Sequence, residues 1–160
     1  MNVTMKGQEV NLIGTQPIVG EKAPDFTLKN LEDVSVSLAA LRGMPILISV
    51  VPDIDTRVCS LQTKRFNQEA AKLSNVKFLT ISNNTKEEQK NWCAAEGVDM
   101  EMLHDTDNTF GEAYGLLIKE TKRLARSIIV IDETGSVSYV EVVPEISQEP
   151  NYDEALANLG

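Results

Sequence analysis

Two cysteines and one histidine are all that this 160-residue chain offers in the way of soft metal-ligating side chains. Cys59 and Cys93 lie far apart in sequence, so with His104 they cannot furnish a four-ligand site of their own. Cationic clusters are scarce as well: 15 Lys and Arg stand against 24 Asp and Glu, for a formal charge of -9. The densest basic group is Lys122, Arg123 and Arg126. Phosphate backbones are bound by clustered cations, which argues against nucleic acid as a partner. No apolar run approaches the ~20 residues that cross a bilayer, the longest lying within Met44 to Pro52, so no membrane role is expected. Nothing near Met1 joins basic residues to a long apolar stretch and a cleavage site. The expectation is a soluble cytoplasmic protein, and in that compartment a lone cysteine pair is more often catalytic, metal-binding or redox-active than a permanent staple. Glycine (9) and proline (6) are sparse, and repeats, linkers and low-complexity stretches are missing. With 42% apolar residues, residues 1–160 read as one domain with one core.

The pattern along the chain is that of alternating strands and helices. Val3, Met5, Val10 and Leu12 alternate with polar residues around Lys6-Gly7, which predicts a short hairpin. Phe26 and Leu28 form a short extended piece, and Leu38 to Leu41 one helical turn stopped by Gly43. Pro45 to Val51 is an unbroken, β-branched apolar run, the pattern of a strand covered on both faces. Val58, Leu61, Phe66, Ala70 and Leu73 then recur at helical spacing, with Asp55 or Thr56 available as a cap. Val76 to Ile81 is a second apolar strand, and Thr85-Lys86-Glu87-Glu88 is a capping-box pattern opening a helix through Trp92 and Cys93 to Gly97. Phe110 to Tyr114 reads as a short helix, Ile128 to Ile131 and Val137 to Val143 as strands joined at Thr134-Gly135, and Tyr152 to Leu159 as a closing helix. Crossover units followed by a hairpin imply an α/β fold with a mixed sheet and helices on both faces.

The segment Pro52-Asp53-Ile54-Asp55-Thr56-Arg57-Val58-Cys59 carries the chemistry. It sets a thiol in the first turn of a helix, where unpaired amides and the positive end of the dipole favour an anion. The thiolate is the form that attacks. Thr56, one turn earlier, can aim its hydroxyl at the sulfur or at a substrate oxygen, and can equally cap the helix. Pro52 offers an apolar ring without an N–H donor, which helps keep water from an oxidisable sulfur. Cys93, beside Trp92, reads either as a redox partner or as an inert buried thiol.

Pro52-x-x-x-Thr56-x-x-Cys59 resembles the active-site signature of the peroxiredoxins. Ser49-Val50-Val51-Pro52, Arg65-Phe66-Asn67, Cys93-Ala94-Ala95-Glu96-Gly97, Phe110 to Gly115, Arg126 to Asp132 and the tail from Glu145 to Leu159 are similar to the thiol peroxidase subfamily, so the resemblance spans nearly the whole chain. It implies a thioredoxin-like fold, a mixed central sheet flanked by helices with an N-terminal β-hairpin. It further implies a thiol-dependent peroxidase that reduces hydrogen peroxide and organic hydroperoxides. Cys59 would be the peroxidatic cysteine and Cys93 the resolving one, joined in an intramolecular disulfide that thioredoxin reduces. Arg126 matches the family's active-site arginine, with Arg123 the alternative, and Thr56 and Pro52 complete the set. A homodimer is implied, and no metal, haem, flavin or nucleotide cofactor. A disulfide needs Cα atoms within about 7 Å, so helices holding both cysteines would have to unwind locally. Asp53 stands where a serine is common and Arg57 where a small residue or proline is common. Near the sulfur their charges would act on a thiolate in opposite senses.

A different class of function, a peroxide-sensing switch, could use the same cysteine pair, and continuous turnover separates the two. A general dithiol oxidoreductase predicts a Cys-x-x-Cys motif, which the chain does not have. His104 reads as a surface or turn residue, and Glu87, Glu88, Asp105 and Asp107 as solvated faces.

Overall fold

The apolar run before Pro52 forms β5 (Ile46–Val50), every residue of which is buried, in a computed structural model that describes residues 2–41, 43–98 and 101–159. The strand needs apolar residues on both faces because both are covered. Leu47 points into a cluster with Phe66, Phe78, Ile128, Val130 and Ala155. Its neighbours Ile46, Ile48 and Val50 point the other way, among Leu79, Ile81, Phe110, Tyr114, Ile129 and Ile131. Side chains alternate across a strand, so one unbroken run feeds two cores.

Parallel to β5 lies β6 (Lys77–Ser82), and parallel to that β7 (Met102–His104). On the other side β9 (Ser127–Ile131) runs antiparallel to β5, followed by β10 (Val137–Val142). At the far edge β3 (Thr27–Asn30) pairs antiparallel with both β7 and β4 (Ser35–Ser37). The seven-stranded mixed sheet therefore runs β10-β9-β5-β6-β7-β3-β4. The turn expected before Gly43 is a single 3-10 turn, Ala39–Leu41. Phe66 of α1 (Arg57–Ala70) and Ala155 of α4 (Tyr152–Ala157) pack on the Leu47 face, while Phe110 of α3 (Thr109–Ala113) packs on the opposite one. Phe66 alone, with no exposed surface, contributes roughly 1.5–3 kcal/mol and fixes how α1 lies on the sheet.

Helix α2 (Lys86–Glu96) opens on the expected capping box: the Thr85 hydroxyl accepts from the Glu88 amide and the Glu88 carboxylate from the Thr85 amide. It closes on Gly97 in the left-handed conformation. At the N-terminus β1 (Asn2–Met5) and β2 (Gln8–Ile13) form the expected hairpin, with positive φ at both Lys6 and Gly7, as a two-residue primed turn demands. β2 also pairs with the two-residue β8 (Leu117–Ile118), making a separate three-stranded sheet. Among the described residues no helix is long and apolar enough to cross a membrane.

Three details depart from the sequence reading. Strands β4, β7 and β8 were not expected; at two or three residues each they are too short for a periodicity, and only their partners define them. His104 belongs to β7, not to a surface turn, and both its ring nitrogens are shielded from solvent without a hydrogen-bond partner among the described residues. Asp105 is not on a solvated face: it is 1% exposed and accepts from the amides of Phe110 (3.0 Å) and Gly111 (2.8 Å). Unpaired amides at the start of α3 call for such an acceptor, and burial still pushes the Asp105 carboxyl above its ordinary range.

Candidate active site

The loop from β5 to α1 is held from below by Asn84, which is 1% exposed. Its Oδ1 accepts from the Ile54 amide at 2.9 Å and its Nδ2 donates to Asp53 at 3.0 Å. Thr56 then occupies the N-cap position of α1, in extended backbone, without a side-chain cap. From its cap residue the first turn of α1 thus receives only the Thr56 carbonyl, which accepts from the Ser60 amide at 2.9 Å, and nothing from the side chain. The Thr56 hydroxyl instead donates to the Asp53 carbonyl at 2.8 Å, which commits its proton and leaves its oxygen lone pairs as acceptors. The expectation that Thr56 could cap the helix is corrected here: the bond to the Asp53 carbonyl turns the hydroxyl toward the loop, and no first-turn amide donates to its oxygen.

Cys59 lies in the first turn of α1 with no exposed surface of its own. The buried face of this helix is Cys59, Gln62, Thr63 and Phe66, whereas Leu61, one of the apolar repeats, is 39% exposed. Both polar side chains on that face have partners: the Thr63 hydroxyl donates to the Cys59 carbonyl at 2.9 Å, and Gln62 belongs to the network around Arg126. Arg126, 2% exposed at the entry to β9, donates from Nη2 to Cys59 Sγ at 3.3 Å, from Nη1 to Gln62 Oε1 at 2.9 Å and from Nε to the Ile146 carbonyl at 2.7 Å. Gln62 in turn donates to Ser49 Oγ at 2.8 Å, which anchors it to β5. A guanidinium has a planar fork of donors, and here three acceptors from three parts of the chain fix its plane. The result is a fixed positive charge beside the sulfur, inside apolar surroundings where it is weakly screened.

Arg123 is differently placed. It is 40% exposed, and its Nη2 lies 3.7 Å from Asp53 Oδ2. Asp53 is thereby engaged by Arg123 and Asn84, while Arg57 is an exposed residue at the start of α1. Cys59 borders a pocket of about 460 Å³ together with Pro52, Thr56, Arg123 and Arg126. Met5, Val58, Ile118 and Ile146 give it apolar walls, two of them supplied by the N-terminal hairpin and β8. Pro52 is buried.

Cys93 is on α2, partly buried, and borders a different groove with Leu31, Val98 and Met102. It packs against the same apolar cluster as Cys59, around Trp92, Val51 and Ile54. Neither cysteine is in a disulfide. Both stand in regular helix, as the sequence led one to expect. Among the described residues no three or more His, Cys, Asp or Glu side chains come together as metal ligands would.

Sequence reasoning missed Gln62, Asn84 and Ile146. Gln62 had a signal, a polar residue one turn after Cys59 on the face the helix buries. Asn84 and the Ile146 carbonyl had none, because they reach the site only through tertiary structure.

Comparison with known proteins finds that residues 18–156 match the Redoxin family. The thiol peroxidase of Listeria monocytogenes (strain EGD-e) is 49% identical over 156 residues, 96% of this chain and 94% of that protein. That of Bacillus subtilis is 47% identical, covering 96% and 93%. Among solved structures, a peroxiredoxin-like protein from Aquifex aeolicus superimposes with a TM-score of 0.93 at 33% identity, covering 99% of this chain and 95% of that one.

Proposed function

We propose that this chain, which belongs to the redoxin family and is a thiol-dependent peroxidase, attacks hydroperoxides with Cys59 and resolves the product with Cys93. Its fold is the thioredoxin-like one of the peroxiredoxins, with the N-terminal hairpin added. Relatives that are thiol peroxidases over nearly their full length favour catalytic turnover over a sensing switch. The observation that carries the assignment of roles is the Arg126 guanidinium 3.3 Å from the only sulfur at the start of α1.

In the first step the Cys59 thiolate attacks the terminal peroxide oxygen, in line with the O–O bond. That bond breaks, the departing oxygen takes a proton and leaves as water or alcohol, and the sulfur is oxidised to sulfenic acid. Arg126 balances the anion and, with the first-turn amides of α1, the charge that develops on the departing oxygen. Thr56 accepts a hydrogen bond from the peroxide O–H, its own proton being held by the Asp53 carbonyl. Pro52 and the apolar walls keep out water that would compete for these donors. In the second step the Cys93 thiol, giving up its proton, attacks the Cys59 sulfenic sulfur; the S–O bond breaks, the departing hydroxide takes a proton and leaves as water, and a Cys59–Cys93 disulfide remains. A dithiol protein of the thioredoxin type then returns both cysteines to thiols and is itself oxidised to a disulfide. Since α1 and α2 each hold a cysteine in regular helix, their cysteine-bearing turns open in this second step. The same reading takes the chain as one domain, cytoplasmic, acting as a homodimer.

The test is NADPH oxidation with thioredoxin, thioredoxin reductase and an alkyl hydroperoxide. Steady turnover is expected; no turnover above the uncatalysed rate sinks the proposal.

A further inference from the structure

The Ile146 carbonyl, the third acceptor that fixes Arg126, belongs to a loop with no regular structure of its own. A short parallel bridge between Thr4 and Glu145, the burial of Ile146 among Val3, Val10, Leu12 and Ile118, and the Glu145 carboxylate together hold that loop. Glu145 Oε1 accepts from Thr4 Oγ1 and from the Gly7 amide, both at 2.9 Å. Its Oε2 accepts from the Lys6 amide at 3.2 Å, the Ser147 amide at 2.8 Å and the Ser147 hydroxyl at 2.6 Å. Backbone bonds from Thr4 N to the Pro144 carbonyl (2.7 Å) and from Ile146 N to the Thr4 carbonyl (2.8 Å) run alongside. Glu145 ties the residue after Ile146 to the hairpin turn and, on the far side of Ile146 from the bond that the Ile146 amide makes to Thr4, helps set where the Ile146 carbonyl stands. Met5, Lys6, Ile146 and Ser147, all within this clamp, also border the Cys59 pocket.

We infer that Glu145 is a positioning residue for the reaction at Cys59, acting through the Ile146 carbonyl on the plane of the Arg126 guanidinium. This rests on the reading of Arg126 as the active-site arginine. An in-line attack is sensitive to placement, and a misplacement of about 1 Å can cost 10²-fold. The hydroxyl and amide of Ser147 and the amide of Gly7 hold the Glu145 carboxyl far below the usual carboxylate range, so the clamp is charged throughout the pH range in which a thiolate works.

A merely structural clamp and a positioning one differ in their coupling to Arg126. The experiment measures the second-order rate of Cys59 oxidation by cumene hydroperoxide in stopped flow, before any reductant acts. It compares Glu145→Gln and Glu145→Ala in the native and in the Arg126→Ala background. In the native background a loss of roughly tenfold or more is expected, and within about twofold no loss in the Arg126→Ala background, because the effect has no guanidinium to act through. Equal losses in both backgrounds, or none in either, overturn the inference. Should Glu145→Ala fail to fold, the near-isosteric Glu145→Gln is read in the same way. If the native chain itself leaves the hydroperoxide intact, the peroxidase reading fails, whereas a reactive native chain with uncoupled Glu145 variants sinks only the positioning role.

Discussion

Replacing Arg126 with methionine removes the charge at Cys59 while keeping most of the buried volume. The guanidinium makes three hydrogen bonds, at 2.7, 2.9 and 3.3 Å, and is 2% exposed, so solvent does not take its place. The loss leaves the Ile146 carbonyl and Gln62 Oε1 without that donor, each worth about 1–3 kcal/mol when buried and unpaired. An expected destabilisation of roughly 2–6 kcal/mol follows, read by urea unfolding. The kinetic loss is a separate quantity. Removing one preorganised charged donor from a developing oxyanion costs about 2.7–4 kcal/mol, or 10²–10³ in rate. Arg126→Lys keeps the charge, but one ammonium cannot serve three acceptors lying in the plane of a fork, so an intermediate loss of about tenfold to a hundredfold is expected. The assay is the second-order rate of Cys59 oxidation in stopped flow, at a temperature where every variant is folded. A folded Arg126→Met within about threefold of the native rate would refute the reasoning, since it would mean that the guanidinium beside the sulfur does not stabilise the transition state.

Cys93→Ser should consume about one equivalent of hydroperoxide and then stop in the thioredoxin-linked assay, leaving Cys59 as a sulfenic acid; unimpaired cycling would remove Cys93 from the mechanism. Gly115→Ala should destabilise the fold by about 2 kcal/mol or more, since left-handed backbone alone costs 1–2 for an L side chain. At φ 64° an added Cβ would also lie 2.5 Å from the Thr15 carbonyl carbon. Urea unfolding checks this, and a change below about 0.5 kcal/mol would contradict it. The Glu145 carboxyl titrates lower in the folded chain than its ordinary value, so its stabilisation is complete above the unfolded value of about 4.3 and is lost as pH falls through the lower folded one. The stability gap between the native chain and Glu145→Gln should therefore be flat from about pH 7 to pH 5 and shrink below about pH 4; a gap that widens on acidification has the wrong sign.

How far the sequence could be read depended on whether the information was local. Pro52, Thr56 and Cys59 lie within one loop and one helical turn, so their spacing alone brings them together. The runs at Ile46–Val50 and Lys77–Ser82 are long enough to declare themselves, and Thr85 with Glu88 is a complete cap within four residues. Arg126 needed the family resemblance, because no periodicity links the start of β9 to the start of α1. The strands Met102–His104 and Leu117–Ile118 exist through pairing with β6, β3 and β2, and nothing within them could be read as a strand beforehand. Asp105 was misjudged for the same reason: a carboxylate beside Asp107 suggests water, and only the approach of the Phe110 and Gly111 amides buries it. The N-terminal hairpin was legible as a hairpin, but that it supplies Met5 and Lys6 to the pocket beside Cys59 was not, because only tertiary structure brings them there.

The central claim is that Cys59 attacks the peroxide and Cys93 completes the oxidation within the same chain. Peptide mass spectrometry of the reduced protein after one equivalent of hydroperoxide tests it most directly. The account predicts a Cys59–Cys93 crosslink within one molecule, with no crosslink and no peroxide consumption in Cys59→Ser. Peroxide consumed at an undiminished rate by Cys59→Ser, or oxidation found on Cys93 alone, would contradict it.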